Sequence, residues 1–73
     1  MNLAEFIRFH RKKSGLSQSR FAQLSGLGKT TIYDIEHGKK TIQWDTLLKA
    51  LKTLNITLAA KSGLISQYTE IEN

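Results

Sequence analysis

Hydrophobic residues recur every three or four positions through most of this 73-residue chain, with charged and polar residues between them. This spacing places the hydrophobic residues on one face of a helix, so it predicts short amphipathic helices. A glycine follows each of the first three stretches, where a residue tolerant of positive φ readily ends a helix. The predicted helices are residues 3–14, a second helix between Ser17 and Gly26, a third from about Lys29 to about His37, and residues 45–54.

The hydrophobic faces of these helices supply the expected core. Ile42 and Trp44 alternate in the loop before the fourth helix and are expected to close the core there, because a lone Trp in a small domain is usually buried. The alternative for Trp44 is a ring that stacks on a nucleic-acid base. Phe9 falls off the hydrophobic stripe of the first helix and is expected to be partly exposed or packed on the C-terminal segment. The remaining expected core residues are Leu3, Phe6, Ile7, His10, Phe21, Ala22, Leu24, Leu27, Ile32, Ile35, Leu47, Leu48, Leu51 and Leu54.

The spacing of hydrophobic residues changes to every second position after Asn55. This alternation predicts a strand over residues 56–60, and a lone strand leaves its backbone hydrogen-bonding groups unpaired. The first interpretation pairs it with the same strand of a second copy, using Leu54, Ile56, Leu58 and Ala60. A hairpin with residues 64–68 and a short fifth helix remain open alternatives. The predicted division is a helical domain over residues 1–55, a dimerising strand over 56–61 and a loose tail over 62–73.

The stretch Ser17–Gly38 has the organisation of two short helices joined by a tight turn. Ser17 can cap the first of them with its hydroxyl, and Gly26 can take positive φ at its end. Two helices arranged in this way form a helix-turn-helix, whose second helix lies in the major groove of DNA. The alternative is a helical hairpin in a small bundle that binds no DNA.

The charge distribution favours a polyanionic partner. The net charge is +5, from eleven Lys and Arg against six Asp and Glu. Residues 1–61 contain all eleven Lys and Arg and four of the six Asp and Glu, which gives this segment a net charge of +7. Residues 62–73 contain only two charged residues, Glu70 and Glu72. A basic body of this kind suits DNA.

The sequence contains no pattern that indicates an enzyme. It has no paired carboxylate cluster, no Ser/His/Asp set and no glycine-rich phosphate loop, so neither catalysis nor a cofactor is expected. No cysteine is present and the two histidines lack metal-ligand spacing, so no metal site is expected. Hydrophobic runs are too short to span a membrane and charges interrupt any signal peptide. We expect a cytoplasmic bacterial protein, associated with the nucleoid when it binds DNA.

Candidate DNA contacts follow from position in the two motif helices. Base readout is expected from Lys29, Thr30, Tyr33 and Asp34, near the start of the second helix. Lys29 can donate to guanine, and the Thr30 methyl suits the thymine methyl. Tyr33 can pack on a sugar or a thymine, or reach a phosphate. Asp34 can accept from cytosine N4, or it can instead orient Lys29 or Arg20. Phosphate contacts are expected from Ser17, Gln18, Arg20, Thr31, Lys39 and Lys40.

The same stretch resembles the lambda-repressor/Cro-like (XRE) helix-turn-helix regulators. The resemblance lies within residues 3–54 and implies an all-α bundle of four to five helices. It further implies that Gln18 contacts the DNA backbone and that Arg11 forms a partly buried ion pair with Glu36. Arg20 stands where this family often has an acid, so the reciprocal capping box is missing. The matching residues are Gly15-Leu16-Ser17-Gln18, Phe21-Ala22, Ser25-Gly26, Thr31-Ile32-Tyr33-Asp34-Ile35-Glu36 and Gly38-Lys39.

Later residues narrow the resemblance to HipB-type (Y4mF-like) antitoxins. They are the runs 38–42, 45–51 and 54–58. This resemblance implies a homodimer paired through its strands, repression of its own operon, and a HipA-type Ser/Thr kinase toxin as partner. A symmetric dimer predicts double-stranded DNA with an inverted repeat, its half-sites about one helical turn or a multiple of it apart. The alternatives are a stand-alone phage-type or housekeeping repressor and a protein-binding adapter that does not bind DNA.

Overall fold

The computed structural model describes residues 1–59, and four α-helices lie in that range. They are α1 (Leu3–Lys13), α2 (Gln18–Ser25), α3 (Lys29–Glu36) and α4 (Trp44–Thr53). The α2 helix packs against both α3 and α4, and α1 packs against α3. The predicted all-α helix-turn-helix bundle is confirmed. The α1 helix ends one residue earlier than expected, and α4 both begins and ends one residue earlier.

A capping box that the sequence analysis missed fixes the start of α1. The Asn2 Oδ1 atom accepts the Glu5 backbone N–H at 2.8 Å, and the Glu5 Oε1 atom accepts the Asn2 backbone N–H at 3.1 Å. Two backbone donors that the helix itself cannot pair are thereby satisfied. The last turn of α1 is basic, which the negative end of the helix dipole favours.

The core is built where the four helices meet. Its largest fully buried side chains are Ile7, Phe21, Ile32 and Leu51, one from each helix. Ala50 is also fully buried, although the sequence analysis did not include it. Partly buried hydrophobic residues surround this centre and pack against it; they are Leu16, Leu27, Ile42, Leu47, Leu54 and Ile56.

The expectation that Trp44 lies in the core is wrong, because its side chain is 62% exposed. It is the first residue of α4, and the core-facing stripe of that helix runs through Leu47, Ala50 and Leu51. At 3.6 residues per turn Leu48 lies about 100° from Leu47, toward the edge of this stripe. Trp44 lies within about 20° of Leu51 around the helix axis and is exposed at the first turn of α4. The other expected core residues that are exposed are Leu3, Leu24 and Leu48.

The segment after α4 has no regular structure over residues 56–59. Asn55 ends α4 with a left-handed backbone at φ +59°, and the Ile56 N–H donates to the Leu51 carbonyl at 2.9 Å. A fifth helix over residues 56–59 is therefore wrong. Strand pairing with a second copy stays a prediction. Ala60, the hairpin alternative and the tail 62–73 lie outside the described residues.

Candidate nucleic-acid interface

The connection between α2 and α3 sets the orientation of the second motif helix. Ser17 Oγ accepts the Arg20 backbone N–H at 3.0 Å and so caps α2. At the other end, Gly26 takes φ +73°, and the Leu27 N–H donates to the Ala22 carbonyl at 2.9 Å. Leu27 then packs against the core, and α3 begins two residues later at Lys29. The turn is thus closed by hydrogen bonds and anchored by one hydrophobic side chain.

Three of the four predicted base-reading residues surround one shallow depression. Lys29, Thr30 and Tyr33 line it from α3, and Gln18 lines it from the first position of α2. Lys29, Thr30 and Tyr33 are exposed, so their polar groups can reach a ligand on this face. The structure therefore brings predicted base-reading residues together with the Gln18 side chain that was predicted to contact phosphate.

Tyr33 is in contact with a second aromatic side chain, His37. Its ring stacks on the imidazole of His37, one helical turn later, with the ring centroids 3.7 Å apart and the planes 18° apart. The His37 Nδ1 atom also lies 2.8 Å from the Tyr33 carbonyl oxygen. Sequence reasoning missed this role for His37. The signal that could have found it is the spacing of four residues, which places two side chains side by side on a helix.

Asp34 is the fourth predicted base-reading residue, and it pairs with a predicted phosphate contact instead of lining the depression. Its Oδ2 atom lies 3.5 Å from the Lys39 Nζ atom. Both side chains remain partly exposed, so water screens the attraction and the pair is weak. The sequence alternatives paired Asp34 with Lys29 or Arg20, whereas the structure places Lys39 beside it.

Arg11 and Glu36 form a buried, bidentate ion pair between α1 and α3. Arg11 Nε donates to Glu36 Oε2 at 2.6 Å, and Nη2 donates to Oε1 at 3.0 Å. The remaining guanidinium nitrogen, Nη1, donates to the Leu16 carbonyl at 2.8 Å. Gln18 Nε2 donates to the same Oε1 atom at 3.2 Å. This network therefore joins the end of α3 to the side chain that begins α2, directly beside the depression.

The other predicted phosphate contacts are distributed around the same two helices. Ser17, Arg20 and Lys40 are exposed, and Thr31 is half-buried. Arg20 Nη1 donates to Gln23 Oε1 at 2.7 Å along the surface of α2. Ser17 Oγ uses only a lone pair in the α2 capping bond. Its O–H group is therefore left to donate to a phosphate oxygen.

The predicted dimerisation residues differ in exposure. Leu54 and Ile56 are half-buried and pack against the core of their own chain. Leu58 is 44% exposed and is available to a second chain. Hydrophobic contact between two copies would therefore depend more on Leu58 than on Leu54 and Ile56, whereas the sequence pattern did not distinguish the three.

Across residues 1–59, no group of three or more His, Cys, Asp or Glu side chains is placed to share a metal ion. Among the four helices, none combines the length and the hydrophobicity that crossing a bilayer requires.

The chain is similar to known proteins over most of its length. A helix-turn-helix family model matches residues 7–61. Control protein C.SmaI of Serratia marcescens is 36% identical over 65 residues, which cover 85% of this chain and 77% of the relative. The uncharacterized HTH-type transcriptional regulator y4mF of Sinorhizobium fredii is 33% identical over 57 residues, covering 78% and 75%.

Solved structures share the same fold. A HipA–HipB–O2–O3 complex and a HipB–O4 20mer complex each contain a chain that matches with a TM-score of 0.76 and 24% identity. The matches cover 84% of this chain and 86% of theirs. The family model and the two sequence relatives show that this chain belongs to the XRE-type helix-turn-helix family of DNA-binding transcriptional regulators.

Proposed function

We propose that this chain is a sequence-specific repressor that binds an inverted DNA repeat as a homodimer, with the outer face of α3 in the major groove. The observation that carries the proposal is the depression shared by Gln18, Lys29, Thr30 and Tyr33. It combines side chains that can read base edges with one that can contact the backbone, and both kinds of contact are needed to read a sequence in register.

The electrostatics of this region support the same proposal. Lys39 and Lys40 follow α3 and are exposed, and Arg20 is exposed on α2. Basic side chains grouped around a helix that enters the groove neutralise phosphates on both sides of that helix. The affinity that they supply falls as the salt concentration rises. Asp34 opposes the phosphates, so we propose that its pairing with Lys39 limits the repulsion until DNA is bound.

DNA binding is tested with a pair of charge-matched variants. Lys29→Ala/Thr30→Ala removes two base-reading side chains, and it is expected to weaken binding to the duplex from upstream of the gene by at least tenfold. The control Lys52→Ala removes one exposed lysine from α4, the same change in charge, and should weaken binding much less. An electrophoretic mobility-shift titration compares them. Equal losses would mean that only total charge matters, and no loss in either variant would favour a protein-binding adapter.

Within the repressor function, we propose an antitoxin role in which the chain represses its own operon and binds a HipA-type Ser/Thr kinase toxin. Similarity to the y4mF regulator and to HipB as seen in the HipA–HipB–O2–O3 complex supports this role. The dimer would form through residues 56–61, continuing from the helical domain over residues 1–55. Copurification of a kinase with the tagged protein from its own host would establish the partner.

A stand-alone regulator is the second candidate. Its support is the 36% identity to control protein C.SmaI, which exceeds the identity to the y4mF regulator. The two candidates differ in the partner and not in the DNA surface. Repression of a reporter under the upstream promoter, with no kinase recovered from the host, would favour this second candidate.

A further inference from the structure

The end of α3 carries a contact that the proposed DNA surface does not by itself explain. Tyr33 is half exposed, and its ring lies almost parallel to the imidazole of His37 at a centroid distance of 3.7 Å. A second contact, 2.8 Å long, joins His37 Nδ1 to the Tyr33 carbonyl. Because a carbonyl oxygen only accepts, Nδ1 carries the proton and donates. The stack and the hydrogen bond together hold the imidazole in one orientation.

We propose that His37 is a positioning residue for sequence recognition, which fixes the Tyr33 ring beside the depression before DNA arrives. The inference rests on the proposed function of that depression. A half-exposed tyrosine would otherwise exchange between rotamers, and binding would have to order it. The stack orders the ring in the free protein, so His37 improves recognition of the cognate sequence through Tyr33.

The charges around His37 separate this role from a direct contact to DNA. Asp34 and Lys39 are close in sequence and pair with each other, and Lys40 is exposed beside them. Phosphate contact from this end of α3 is thus available from lysines. A positioning role predicts that losing His37 changes sequence discrimination and leaves the salt dependence unchanged. A phosphate contact from a cationic His37 predicts that the salt slope becomes smaller when His37 is lost.

Three substitutions separate stacking from polarity. His37→Ala removes both contacts, His37→Asn keeps a polar side chain without an aromatic ring, and His37→Phe keeps the ring. Using the upstream duplex and a scrambled duplex, we expect Ala and Asn to weaken cognate binding by about 3- to 10-fold, the range for ordering one side chain on binding. Binding to the scrambled duplex should stay unchanged, and Phe should bind the cognate duplex within about twofold of the wild type.

A double-mutant cycle tests whether His37 acts through Tyr33. In a Tyr33→Ala background, His37→Ala should cause no further loss. Additive losses, or a Phe variant as weak as Ala, would overturn the proposal. A parallel fall in thermal stability in all three His37 variants, Phe included, would also overturn it, because His37 would then act on folding alone.

One readout requires no DNA. The stack predicts that the His37 ring protons are shifted upfield in the NMR spectrum of the wild type relative to Tyr33→Ala. Absence of this shift would overturn the positioning role and leave the proposed DNA surface intact. Conversely, the upfield shift could be present while the wild-type protein binds the two duplexes equally well. That result would overturn the proposed function, and with it the role of His37 in recognition.

Discussion

Arg11 and Glu36 are the charged side chains that are buried within residues 1–59. The sequence resemblance implied their pairing, but it did not reveal that Leu16 and Gln18 complete the same network. Such a cluster is difficult to predict from sequence, because its members are far apart along the chain. They come from α1, the following loop, α2 and α3. A buried charge is tolerated only when its partner and its hydrogen bonds are complete. Through Gln18, the network therefore links the fold to the proposed DNA surface.

The ion pair predicts a non-additive effect on stability. Arg11→Met and Glu36→Leu should each cost about 3–5 kcal/mol, because each leaves one buried charge unpaired. The double variant should lose less than either single variant, since no unpaired charge remains. Urea denaturation followed by circular dichroism measures all three. Losses in the double variant equal to the sum of the single losses would contradict this account of the pair.

Trp44 gives a second prediction at the level of one residue. Because it is largely exposed, Trp44→Ala should change the free energy of unfolding by less than about 1 kcal/mol. Phe21→Ala, at a fully buried position, should cost about 3–5 kcal/mol. Thermal unfolding of the two variants at equal protein concentration makes the comparison, and similar losses would show that Trp44 is buried in solution.

At the scale of elements, hydrophobic spacing was enough to predict the four helices, but not which edge of a helix the core covers. Leu24 and Leu48 were expected inside and are exposed, because burial depends on the direction of the neighbouring helix. The Asn2–Glu5 capping box was readable from residue types three positions apart, but it was overlooked. The alternation over residues 56–60 could not be resolved from sequence, since a strand there depends on a partner.

The turn between α2 and α3 predicts different costs for two glycines. Gly26→Ala should destabilise the fold by about 1–2 kcal/mol, because φ is +73° and an L-residue is strained there although no atom lies within 4 Å of the added Cβ. Gly28→Ala should cost less, since φ is −75° and the nearest atom, Thr31 Oγ1, is at an ordinary contact distance of 3.8 Å. Urea midpoints of both variants test this order, and a larger loss at Gly28 would contradict it.

For the molecule as a whole, a basic helical body presents one surface that combines the residues proposed to read bases with those proposed to bind phosphates. One such surface reads only a half-site, so specificity for a long operator requires two copies in a fixed relation. Lys29, Thr30 and Tyr33 could be selected from sequence because helix position alone puts them outward. The shared depression with Gln18, the Asp34–Lys39 pair and the His37 stack required the three-dimensional arrangement.

The proposed function requires that this surface reads a specific DNA sequence as part of a symmetric dimer. Fluorescence anisotropy with the duplex from upstream of the gene and with a scrambled duplex, over a salt series, tests it most directly. We expect tighter binding to the upstream duplex, saturation at two chains per site, and affinity that falls steeply as salt rises. Equal and weak binding to both duplexes would contradict the claim and would show that only the net positive charge interacts with DNA.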